Sequence, residues 1–140
     1  MTQEEKDLVL KDICSRLPYN VKAYVKHWSN IDRKYYEGVY DVKSVFPSLN
    51  EILVQSKSGS VDVTYVTLGY YEHEFKPYLF PLSSMTDEQE EEYNNLNCWE
   101  LGCFPHTEDA LDYLIANHFD YRGLIEMGIA IDATGLDVYE

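Results

Sequence analysis

The chain reads as one α+β domain: an N-terminal helix, a small antiparallel sheet of four to five strands, and two to three C-terminal helices packed on one face. Three observations predict this. Helical periodicity marks the first 17 residues, β-branched and aromatic runs fill the stretch to residue 76, and capped helical patterns dominate 77–140. The strand-like runs lie too close together for parallel crossovers, so they pair as an antiparallel meander. A chain of 140 residues fits a single domain over 1–140. It can bury roughly two thirds of its unfolded surface, enough for a core without disulfides or metals.

Each element has a local cause. Thr2 with Glu5 forms a capping box, and Leu10, Ile13, Cys14 and Leu17 recur at helical spacing until Pro18 ends the run. Val21–Lys26 alternates apolar and polar residues, Tyr36–Phe46 is β-branched and aromatic, and Pro47-Ser48 breaks it. Glu51–Gln55 and Val61–Leu68 are strands around a Ser/Gly turn, and Tyr70–Phe75 either extends the second or leaves it. Pro77 and Pro81 bracket an extended connection. Thr86 with Gln89 repeats the capping box, with anions in the first turn where the helix dipole favours them. Cys98–His106 reads as a loop. Thr107 caps a third helix, with Leu111, Leu114, Ile115 and His118 along one face. A turn at Gly123–Met127 leads to a last strand, Ile129–Ile131.

The net charge of −14 is unevenly placed. Residues 1–76 hold 10 Lys/Arg against 11 Asp/Glu, whereas 77–140 hold only Arg122 against 14 acidic residues. Such a field disfavours direct binding to nucleic acid or anionic membrane, which need basic patches, and leaves a protein with a basic surface as the charged partner. No apolar run approaches the roughly 20 residues that span a bilayer. The charged start MTQEEKDL lacks the apolar segment of a secretory signal, and three cysteines are too few and odd for a disulfide framework. Both features predict a cytoplasmic protein.

Two clusters carry residue types suited to chemistry. Cys98, Cys103 and His106 place three possible zinc ligands within nine residues. Their C-x4-C-x2-H spacing lacks a second pair, so a fourth ligand would come from Cys14, His27, His73 or His118; the competing reading is a loop that tucks small thiols under a helix. His118, Asp120 and Arg122 unite imidazole, carboxylate and guanidinium, the parts of acid–base catalysis. The structural alternative puts His118 on the helix stripe, Asp120 at a turn needing an acceptor, and Arg122 in an ion pair. The glycines are scattered, so no phosphate-cradling loop forms, and no cofactor is expected.

Two segments, KPYLFPLSSMT over 76–86 and NHFDYRGLI over 117–125, the latter continuing into GIAIDAT, have distinctive wording. They resemble segments of a family of small uncharacterised proteins encoded by gut anaerobic bacteria, their phages and mobile elements. The resemblance covers the C-terminal half. It implies an accessory protein of bacterial or phage origin and brings no mechanism with it. Three functions follow as expectations: a non-enzymatic protein-interaction module, an acidic nucleic-acid mimic acting on a DNA-binding enzyme, or an enzyme centred on His118, Asp120 and Arg122.

Overall fold

A computed structural model describes residues 1–56, 63–96 and 107–139. The first capping box forms as expected: Glu5 N–H donates to Thr2 Oγ1 and Thr2 N–H donates to Glu5 Oε1, each at 3.1 Å. It starts α1 (Gln3–Arg16), whose buried face is Val9, Leu10, Asp12, Ile13 and Arg16. Cys14, expected on the apolar stripe, is exposed. The helix is turned about its axis from the expected position because two of its charged residues find partners in the C-terminal half.

A meander follows: β1 (Lys22–Ser29), β2 (Lys34–Phe46), β3 (Glu51–Ser56), β4 (Val63–Thr67) and β5 (His73–Pro81). Neighbouring strands pair antiparallel in the order β4-β3-β2-β1-β5, with an irregularity in β2 between Val42 and Ser44. The two outer strands of this set, β4 and β5, are consecutive in sequence. Only residues 68–72 separate them, so the sheet must coil until its edges meet at that end. There the Thr67 N–H donates to His73 Nδ1 at 2.9 Å. Gly69 makes the turn at φ +83°, and a Cβ there would lie 2.5 Å from the Lys6 side chain. The positive φ favours glycine, whereas the Lys6 chain end can swing aside. α1 closes the concave side, where Val9, Leu10 and Ile13 meet Val25, Ile52, Val54, Val66 and Phe75.

The stretch from Pro77 to Pro81 is strand rather than connection. Pro77 faces Ala23 at the last pair of the β1 ladder and Pro81 ends β5, so neither missing N–H interrupts the ladder. β5 also gains two short parallel partners, β6 (Phe119–Asp120) and β7 (Ile131–Asp132), which make the sheet mixed though mostly antiparallel. The C-terminal helices are α2 (Asp87–Leu96) and α3 (Thr107–Ala116), which lie side by side with Tyr93 against Tyr113 at 6.5 Å. The Thr86–Gln89 capping box opens α2 through hydrogen bonds of 2.9 and 3.2 Å. After β7 the tail packs Ala133, Val138 and Tyr139 on Tyr24, Val39 and Tyr78, residues that alternate with those of the concave face. Among the described residues no helix is long and apolar enough to cross a membrane.

Candidate functional site

Val9, Asp12, Ile13 and Arg16 follow helical spacing along one face of α1, which carries two charges into the interior. Both Asp12 and Arg16 are fully buried. A buried guanidinium is tolerated only when its donors are used. Arg16 Nε and Nη2 reach the Asp12 carboxylate at 2.8 and 3.1 Å, Nη2 also donates to the Phe119 carbonyl at 2.7 Å, and Nη1 donates to the Ile115 carbonyl at 3.4 Å. Arg122 completes the cluster, its Nε 3.2 Å from Asp12 Oδ1. The ring of Tyr121 contacts both guanidinium groups, at 5.8 Å from Arg16 and 4.7 Å from Arg122. The cluster ties α1 to the segment that follows α3.

That segment holds the other two candidate catalytic residues. α3 ends at Ala116, and its buried face is Ala110, Leu114 and Ile115, while Leu111 is 39% exposed. His118 therefore lies beyond the helix rather than on its stripe, at φ +60°. Its ring stacks on Tyr139 with centroids 4.1 Å apart. Burial first, and the Arg16 charge second, push its pKa down to about 4, so it is neutral near pH 7. Its Nδ1 is buried without a partner, which fits a neutral ring with the proton on Nε2. Tyr139 spans two strands: its hydroxyl donates to the Tyr78 carbonyl at 2.6 Å and accepts from the Lys22 N–H at 3.1 Å. Burial pushes that phenol up. Asp120 uses both carboxylate oxygens on the backbone N–H groups of Leu124 and Ile125, at 3.0 and 2.9 Å, and so holds the 121–127 turn.

His118, Asp120 and Arg122 are thus close in sequence, yet each has its own set of partners. Beside His118 and Tyr139 opens a cleft of about 680 Å³ between the sheet and the α2/α3 pair. One wall carries Asn20, Lys22, Asp41 and Lys43, with Lys22 Nζ 2.5 Å from Asp41. Phe80, Ser84, Gln89, Ala116 and Asn117 form the other. Asp12, Arg16 and Tyr139 were not singled out from the sequence. The signal for the first two was available: charges at i+3 and i+7 on a helical stripe that starts at Val9. For Tyr139 no local pattern existed.

Cys98, Cys103 and His106 lie outside the described residues, as does the Thr107 side chain. Among the described residues no group of three or more His, Cys, Asp or Glu is placed to hold a metal. Of the residues considered as a fourth ligand, His73 accepts from Thr67 and His27 contacts the Tyr40 hydroxyl at 3.2 Å. No family model, curated protein or solved structure matches this chain.

Proposed function

We propose that this protein is a non-catalytic interaction module that docks on the basic surface of another protein through α2 and α3. One observation carries the reading. Asp87, Glu88, Glu90, Glu91 and Glu92 on α2, with Glu108, Asp109 and Asp112 on α3, are all exposed on two adjacent helices that contain no Lys or Arg. α2 buries no residue, so folding leaves most of its surface to solvent or a partner. Like charges gathered on one ledge create a field that steers a cationic surface toward it.

Affinity capture from native lysate at low salt tests this, with a variant neutralised at Asp87, Glu88, Glu90, Glu91 and Glu92 as the control. The expected result is a basic protein retained by the wild type and lost with the variant. A partner retained equally by both removes the ledge from the binding surface. Should the captured partner be a DNA-binding enzyme from which excess duplex DNA displaces this protein, the ledge acts as a nucleic-acid mimic.

A further inference from the structure

The cleft beside His118 and Tyr139 is continuous with the acidic ledge, because Gln89 of α2 and Ser84 just before it form part of its wall. Its lining is mostly polar, and its aromatic part centres on Phe80, whose ring lies 5.9 Å from Tyr139 and 6.3 Å from the buried Phe119, centroid to centroid. Polar groups at its edge keep unused capacity. Gln89 Oε1 is taken by the Thr86 N–H, which leaves its amide NH₂, while the Asn117 NH₂ donates to the Tyr113 carbonyl, which leaves its oxygen. The far wall differs in charge, with Lys43 beside the Lys22–Asp41 pair. Interfaces of ordinary size draw most of their affinity from a few aromatic anchors seated in pockets, with charges at the rim setting orientation.

We propose that this cleft is the anchoring pocket for the basic partner: a planar side chain of the partner, indole or phenol, enters it while neighbouring lysines or arginines lie along α2. The inference rests on the docking role assigned to the ledge and adds the chemistry of the partner segment. The size suits it, since pockets that enclose ligands run from roughly 300 to 1,000 Å³. The indole N–H finds an acceptor in the Asn117 oxygen. The wall with Lys43 repels a basic flank, so the cationic residues fall on the Gln89 side.

Two fluorescein-labelled pentapeptides, Lys-Lys-Trp-Lys-Lys and Lys-Lys-Ala-Lys-Lys, provide the test, titrated against the full chain at low salt by anisotropy. The tryptophan peptide should bind about tenfold tighter. Ala116→Leu, which fills the cleft from the last residue of α3, should abolish that preference and leave the alanine peptide unaffected. A second measurement needs no variant: on the wild type, amide shifts specific to the tryptophan peptide should cluster at Asn20, Val42, Asn117 and Phe119. Equal affinity of the two peptides, or specific shifts elsewhere, overturns the pocket. If the peptides bind equally but weaken on the fivefold neutralisation of α2, the ledge stands and only the pocket is lost. A tryptophan preference that persists while neutralisation leaves both affinities unchanged supports the pocket and removes the ledge.

Discussion

The His118 imidazole is held where its charged form is poorly tolerated, against Tyr139 and within reach of the Arg16 field. An unfolded chain restores an ordinary pKa near 6.5, whereas the folded ring titrates at about 4. As pH falls, the unfolded state therefore takes up the proton first. The contribution of the neutral ring is intact above pH 6.5, erodes between 6.5 and about 4, and falls no further below that. Over the whole window the loss amounts to about 3 kcal/mol. Urea denaturation at neutral pH and at about pH 4.5 should show a steeper loss in the wild type than in His118→Phe, which retains an aromatic ring without the titration. His27 and His73, also lowered chiefly by burial, act alike in both proteins and cancel in the difference. Equal slopes would mean that the ring carries its charge in the folded state. At neutral pH, His118→Ala should cost roughly 1–3 kcal/mol through the cavity it leaves and the ring contact it removes. A variant with wild-type thermal stability that nonetheless loses a biological activity would restore His118 as a functional group.

α1 is fastened to the C-terminal segment by one carboxylate serving two guanidinium groups. Removing Asp12 strands a fully buried Arg16, so Asp12→Ala should cost about 3–5 kcal/mol. Arg122→Ala should cost about 1 kcal/mol or less, because that side chain is partly solvated and Arg16 still neutralises the carboxylate. Chemical denaturation of the two variants checks the order; similar losses would show that Arg122, rather than Arg16, dominates the cluster. α2 is held differently. With no buried residue, it depends on its cap and its contact with α3. Thr86→Ala should cost about 1 kcal/mol locally, accelerating amide exchange in the first turn of α2 while the melting of the sheet is almost unchanged. A large fall in global melting temperature would instead make α2 part of the cooperative core.

Across the molecule, charge and packing are segregated. The coiled sheet and α1 hold the main core, and the carboxylates of α2 and α3 project away from it. If the ledge steers a partner, association should slow steeply as salt rises, since the screening length shrinks from about 10 Å at 0.1 M to about 3 Å at 1 M. Dissociation should change less, because dispersed rim charges act mainly on encounter. Stopped-flow binding to the captured partner measures both rates, and the fivefold neutralisation of α2 should imitate the effect of salt. Rates insensitive to salt and to neutralisation would make the ledge a solubilising surface. The exposed aromatics of the sheet, Tyr35 and Tyr65 among them, would then be the surface to test.

Local chemistry by itself determined the elements. The capping boxes at Thr2 and Thr86, the alternation along β1 and the β-branched run of β2 need only neighbours within a few residues, and they form where the sequence places them. The concentration of charge after residue 76 is a property of composition that folding cannot alter. Tertiary structure decided what depends on distant partners. It turned α1 so that Asp12 and Arg16, rather than Cys14, face inward, because their partners lie about a hundred residues away. It made a strand of the proline-bracketed stretch, since whether a missing N–H matters depends on which neighbour the strand meets. It added β6, whose two-residue length is too short for periodicity to register, and it placed the last strand at Ile131–Asp132 rather than Ile129–Ile131. It also separated His118, Asp120 and Arg122, since the turn and the extended pair that follow α3 send adjacent side chains to different neighbours.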